Sequence, residues 1–279
     1  MAYVPPHKRM QQPTREHDDT DAKIFSEAFS VTRCINLDQR KDKWKQMQRQ
    51  AARIRGLKIE RFSALESKQG GGDDARVAME WDTSSNARWD RKIPPGEIRH
   101  LSTGEVGCAL SHISLWEELS LESSGLSSML ILEDDACFFS GRNPASQDAF
   151  RFLRAFRSAW DHLPEKWGIF YLGFSDRGER TPVYQNSEVE IFQPIYGFHT
   201  HAYAITKLAA ATLLDNLPVK GPLDVWLADN TWFGIPVYCA VVANEGWKRQ
   251  GAPMIYQNRR PGSTDVVQSG RNTTFSGAS

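Results

Sequence analysis

The chain has few cysteines, no net charge of either sign and no long apolar run, and each deficit removes a class of protein. Its four cysteines, Cys34, Cys108, Cys137 and Cys239, form no CxxC and no paired spacing. Zinc sites of recognisable spacing are therefore not expected, and neither is a disulfide framework. Apolar neighbours make all four read as buried free thiols. Thirty-four Lys and Arg balance thirty-four Asp and Glu, so no global field draws the protein to nucleic acid or to an anionic membrane. No apolar stretch approaches the roughly 18 residues of a transmembrane segment, and Met1 to Ser30 holds no run of signal-peptide length. As given, the sequence reads as cytoplasmic. Walker A, GxSxG, HExxH and GxGxxG patterns are absent as well.

What is present is an ordinary globular composition, 40% hydrophobic and 24% charged, sufficient for a core without crosslinks. Residues 1–29 and 260–279 are polar and read as flexible tails around a single domain at 30–259. Inside it, strand-like runs at Val31–Leu37, Lys58–Phe62, Met129–Leu132, Trp167–Leu172, His201–Ile205 and Val237–Val242 alternate with helical periodicity at 41–55, about 104–122, 147–163 and 206–216. That alternation predicts an α/β layered fold. The helix at 41–55 buries Trp44, Met47, Ala51 and Ile54, and its many cations read as a solvated surface, although they could attract a diphosphate. Residues 64–100 are irregular, as in a binding loop or lid, or a disordered segment.

Three segments carry chemistry. Met129-Leu130-Ile131-Leu132 ends abruptly in Glu133-Asp134-Asp135. Clustered carboxylates beside apolar surroundings repel unless a cation compensates them, and open α/β sheets bind ligands at the carboxyl ends of their strands. Hard oxygen ligands there favour Mg²⁺ or Mn²⁺; a solvated acidic turn or a helix cap would look the same in sequence. The second segment, Ser102 to His112, offers Ser102 or Thr103 as a helix cap, Glu105 in the first turn, and Gly104 and Gly107 where a backbone could approach closely. His112 taken alone reads as a hydrogen-bonded structural histidine or a catalytic one. In the third, Pro222-Leu223-Asp224, the acid is an N-cap or a general base, and spacing does not separate these.

These pieces, in this order, resemble glycosyltransferase family 25, the family of bacterial lipooligosaccharide galactosyltransferases and collagen galactosyltransferases. The resemblance rests on Ile35-Asn36-Leu37-Asp38-Gln39-Arg40, Gly104 through Trp116, Leu130 through Ala136, Tyr171-Leu172-Gly173, His201 through Ile205 and Pro222-Leu223-Asp224. It covers roughly residues 31–255, and the loop 64–100 departs from the family's usual segment. It implies a GT-A-like single domain with a mixed, mostly parallel sheet flanked by helices. The implied activity moves a hexose, galactose or glucose, from a UDP-sugar to a hydroxyl of a glycan, lipid-linked or protein acceptor, with Mn²⁺ (or Mg²⁺) and inversion. Carried over, Asp135 would be a direct metal ligand, with Glu133 and His201 (or His199) completing the sphere. Asp134 would act on the donor's sugar and Asp224 as base, while Asn36, Arg40, Ser111 and His112 would lie at the nucleotide. The alternatives are a sugar-nucleotide-binding pseudoenzyme or interaction module on the same fold, and a metal-dependent phosphohydrolase using the same carboxylates.

Overall fold

A computed structural model of the chain describes residues 22–67, 74–86, 88, 94–139, 145–229, 233–243 and 252–258. Most of both expected tails, 1–21 and 260–279, lies outside the described residues, as do Gly70-Gly71-Gly72 and Trp89 of the long loop.

The chain opens with helix α1 (Ile24–Ala28), strand β1 (Val31–Asn36), helix α2 (Lys41–Ala51) and strand β2 (Glu60–Ser63). Short strands β3 (Val77–Ala78), β4 (Glu80–Asp82) and β5 (Ile98–His100) precede helix α3 (Thr103–Ser120), β6 (Ser128–Glu133) and β7 (Ala136–Cys137). Helix α4 (Ala145–His162) leads into β8 (Ile169–Asp176), β9 (Arg180–Gln185), β10 (Val189–Pro194) and β11 (Gly197–Thr206). Helix α5 (Lys207–Asp215), β12 (Val219–Lys220), helix α6 (Leu223–Trp226), β13 (Val237–Val242), β14 (Ala252–Pro253) and β15 (Tyr256–Gln257) complete the order.

Nine strands form the main sheet, ordered β2-β1-β6-β11-β8-β13-β10-β9, with β14 added beside β13. Strands β2, β1, β6, β8, β13 and β9 share one direction, and β11, β10 and β14 run against it. This is the expected mixed, mostly parallel sheet. Helices cover both faces, so its central strands are apolar on both sides. In β6, Met129 and Ile131 pack with Val106, Ile113 and Trp116 of α3, while Leu130 and Leu132 pack with Met47 of α2 and Phe152 and Phe156 of α4. Each such side chain contributes about 1.5–3 kcal/mol by leaving water. No described helix is long and apolar enough to cross a membrane.

Three local expectations need correction. The domain begins before residue 30, because Ile24, Phe25, Ala28 and Phe29 are buried and Phe25 stacks on Phe156 at 4.7 Å. Their i, i+1, i+4, i+5 spacing makes one apolar face inside an otherwise polar segment. The hairpin β9–β10, unassigned from sequence, extends the sheet at its edge. The loop 64–100 is not irregular throughout: β3 pairs with β12, β4 pairs with β5, and Trp81 is buried.

Candidate functional site

Strand β6 is buried along its length and emerges at Glu133, so the turn Asp134-Asp135 sits at the carboxyl end of the parallel pair β1–β6, where α/β sheets take ligands. Two distant segments hold that turn in place. From α2, the Gln50 amide donates to the Ala136 carbonyl at 3.3 Å, and its oxygen accepts from the Phe138 N–H at 3.0 Å. From the far end of the chain, β15 pairs with β7, and the Asn258 N–H donates to the Asp135 carbonyl at 2.8 Å.

The three carboxylates differ in their surroundings. Asp134 is matched: Lys43 donates to Oδ1 at 3.0 Å and the Asn36 amide to Oδ2 at 2.8 Å. Both partners of the Lys43–Asp134 pair are almost fully shielded from water. Glu133 accepts from the Thr200 hydroxyl at 2.7 Å and lies 3.6 Å from His112 Nε2. Burial works to raise the Glu133 pKa, but His112, Thr200 and the charge of His201 outweigh it and hold it at about 2. Asp135 is 8% exposed; Gln257 donates to Oδ2 at 3.2 Å, whereas the buried Oδ1 has no hydrogen-bond partner among the described residues. Burial, then the charges of Glu133 and Asp134, push the Asp135 carboxyl up to about 8 despite Lys43 and Gln257. A buried carboxylate oxygen in that condition is costly unless a cation meets it.

Helix α3 supplies the second wall. Ser102 caps it in a reciprocal box with Glu105, whose carboxylate accepts from the Ser102 N–H at 2.8 Å. A Cβ on Gly107 would overlap the Leu65 carbonyl, so the glycine permits the chain after β2 to cross the helix. Ser111 fastens that crossing, donating to the Gly107 carbonyl at 2.7 Å and accepting from the Leu65 N–H at 2.9 Å. His112 is fully buried, its Nδ1 2.9 Å from the Tyr203 hydroxyl, which also accepts from Trp116 Nε1 at 3.0 Å. The phenol can exchange a proton with Nδ1 in either direction, so Tyr203 fixes the ring with Nε2 facing Glu133.

Several expected roles change in this setting. Asn36, expected at the nucleotide, is 1% exposed and internally saturated: it donates to Asp134 and to the Arg40 carbonyl at 3.1 Å, and accepts from Arg61 at 2.9 Å. Ser111 is equally enclosed. Both hold the backbone around the site instead of facing a ligand. Arg40 takes the N-cap position of α2 and donates to both Asp42 oxygens at 3.0 Å. His201, expected as a metal ligand, uses Nε2 as a donor to the Ile255 carbonyl at 3.0 Å, and its ring occupies the space that Gly173 leaves. The side chain of His199 lies outside the described residues.

Asp224 is part-buried in the first turn of α6, and Pro222, not Asp224, takes the N-cap position. Burial pushes the Cys108 thiol up, and the charges of Glu133, Asp224 and Asp135 each add to that rise. Asp224 and the acidic loop are thus each within electrostatic range of Cys108 on α3. The long loop reaches this helix too: Asn86 donates to the Val225 carbonyl at 2.7 Å and accepts from the Tyr196 hydroxyl at 2.8 Å.

Lys43, Gln50, Thr200, Tyr203 and Gln257 were not singled out from sequence. Lys43 and Gln50 carried a signal, because they share the i, i+4, i+7 face of Met47. Gln257 carried none, being 122 residues from its partner Asp135.

The family model described as "Glycosyltransferase family 25 (LPS biosynthesis protein)" matches residues 31–227. A protein of Mus musculus named procollagen galactosyltransferase 2 is 26% identical over 207 residues, 72% of this chain and 29% of its own. One of Drosophila melanogaster named glycosyltransferase 25 family member is 28% identical over 193 residues, 66% of this chain and 28% of its own. One of Homo sapiens named inactive glycosyltransferase 25 family member 3 is 31% identical over 131 residues, 47% of this chain and 20% of its own. The chain spans between 20% and 32% of the length of such relatives. With the family model covering both the acidic loop and the wall of α3 that faces it, the chain belongs to glycosyltransferase family 25.

Proposed function

We propose that the protein transfers a hexose, galactose or glucose, from a UDP-sugar to an acceptor hydroxyl, with Mn²⁺ or Mg²⁺ bound at Asp135. The observation that carries this reading is the buried Asp135 Oδ1 at the carboxyl end of β6, without a hydrogen-bond partner among the described residues. An all-oxygen donor on a loop fits a hard cation that takes diphosphate oxygens as further ligands. A cation held there supplies charge neutralisation as UDP departs.

The chain's own residues do the remainder. Lys43 and Asn36 clamp Asp134, which gives that residue a positioning role in place of the catalytic one first expected of it. Thr200 and His112 keep Glu133 ionised, so it stands as a second anionic oxygen beside Asp135. Asp224 accepts the acceptor hydroxyl's proton as general base, and a single displacement inverts the anomeric carbon. Arg40 is the cation on the nucleotide side. The acceptor is a hydroxyl on a glycan, a lipid-linked sugar or a protein.

A second reading, a sugar-nucleotide-binding protein without turnover, is favoured by relatives whose names call them inactive. The experiment that separates them measures UDP release from UDP-galactose and UDP-glucose by the full chain, with and without Mn²⁺. Release that depends on Mn²⁺ and falls about 10²–10⁴-fold in Asp224→Asn with donor affinity kept supports transfer with Asp224 as base. Equal loss of turnover and donor binding removes Asp224 from that role. Binding without release from either sugar supports the second reading, and release of phosphate from substrates lacking a nucleotide would turn the assignment to a phosphohydrolase.

A further inference from the structure

Sequence spacing argued against a zinc site because no two cysteines stand close together. The fold supplies a site of another kind. Cys108 and His112 are one helical turn apart on α3, and both face Glu133 at the end of β6. One ligand atom from each of the three lies within 4.8 Å of the others. His112 is fully enclosed and its ring is oriented by Tyr203 through Nδ1 at 2.9 Å. Its Nε2 is buried with no hydrogen-bond partner among the described residues and stands 3.6 Å from Glu133 Oε1. A buried ring nitrogen in that state carries an unmet desolvation cost. Metal-binding histidines are oriented in this manner, one nitrogen to the metal and the other to a fixed polar group.

We propose that Cys108, His112 and Glu133 form a binding site for a borderline-soft divalent cation such as Zn²⁺, distinct in its donors from the all-oxygen site at Asp135. Thiolate, imidazole and carboxylate are the donor types that select zinc over magnesium or manganese, and three protein ligands leave a fourth position for water. Tetrahedral zinc needs its ligand atoms about 3.4–3.6 Å apart, so torsions of Cys108 and Glu133 must draw the cluster inward by about 1 Å. When the cation binds, the Cys108 thiol proton goes to solvent as the S–metal bond forms. His112 keeps one proton, now on Nδ1 and donated to the phenol oxygen of Tyr203. Because Glu133 belongs to both sites, zinc here withdraws it from the acidic loop. The site itself does not depend on the transferase reading.

The test titrates Co²⁺ into the full chain without nucleotide and records the near-ultraviolet thiolate-to-cobalt charge-transfer band. The expected result is a band that saturates at one equivalent, is displaced by Zn²⁺, disappears in Cys108→Ser and persists in Cys137→Ser. It also persists in Asp135→Ala, which separates this site from the donor-metal reading. No band at stoichiometric Co²⁺, or a band that survives Cys108→Ser, overturns the proposal. If Cys108→Ser does not fold, the parent protein decides the matter through alkylation of Cys108, followed by peptide mass. Protection by one equivalent of Zn²⁺ supports the site; no protection overturns it.

Discussion

Asp74 and Glu117 meet at the guanidinium of Arg76, which donates to Asp74 at 2.7 and 2.9 Å and to Glu117 at 2.8 and 3.0 Å. Glu133, Asp134 and Asp135 meet at a loop where Lys43 is hydrogen-bonded to Asp134 and Asp135 Oδ1 has no hydrogen bond among the described residues. In the first cluster every acid has an arginine partner, and the side chains remain 30–43% exposed. In the second the acids are shielded from water, and the charges of Glu133 and Asp134 add to burial in raising the proton affinity of Asp135. The acids around Arg76 are matched and wet, whereas those of the loop are concentrated and dry. The difference is measurable, because the energy at stake in a charge pair rises with its burial.

The largest expected effect is at Lys43, the buried cation hydrogen-bonded to the acidic loop. Lys43→Met removes the ammonium hydrogen-bonded to the buried Asp134 beside two more acids, so it should cost about 3–5 kcal/mol, read from the urea midpoint of the unliganded protein. A loss below about 1 kcal/mol would mean that the loop is as wet as the Arg76 cluster.

A smaller effect, with a definite sign, is expected at Asp135. Its folded pKa of about 8 lies above the ordinary carboxylate value, so the folded state binds a proton that the unfolded state has already released. Its contribution to stability is complete below about pH 4 and is lost as pH rises through 8. Asp135→Asn should therefore raise the melting temperature of the cation-free protein relative to the parent at pH 8, with that advantage shrinking toward pH 4. An advantage independent of pH would contradict the assigned protonation.

The smallest effect belongs to the matched cluster. Arg76→Gln should cost less than about 1 kcal/mol, and the cost should shrink further in high salt. The same urea titration at low and high ionic strength checks it.

This comparison also explains what could be read from the chain. The apolar runs at 31–37 and 129–132 and the acids that end the second were legible because hydropathy reports which backbone segments are enclosed. The Ser102–Glu105 cap was legible because its partners are three residues apart. Long polar side chains arriving from elsewhere were not. Lys43 was read with the solvated cations of its helix, yet it reaches across to Asp134, 91 residues on. Thr200 reaches Glu133 from β11 and Gln257 reaches Asp135 from β15, and local pattern contains neither meeting. Asn36 and Ser111 looked like ligand-facing groups because sequence does not show that neighbouring backbone already satisfies them. The resemblance named the residues, and the structure adds the hydrogen bonds that surround them.

The central claim is that Asp135 retains a carboxylate oxygen for a cation that binds together with a sugar nucleotide. Thermal melting of the full chain with Mn²⁺ and UDP-galactose or UDP-glucose, compared with Mn²⁺ alone and nucleotide alone, tests it most directly. Ligand at about 100 times its dissociation constant stabilises by about 2.7 kcal/mol, so the account predicts a rise of several degrees that requires both components and vanishes in Asp135→Ala. A rise that survives Asp135→Ala, or none in the parent with either sugar nucleotide, would contradict it.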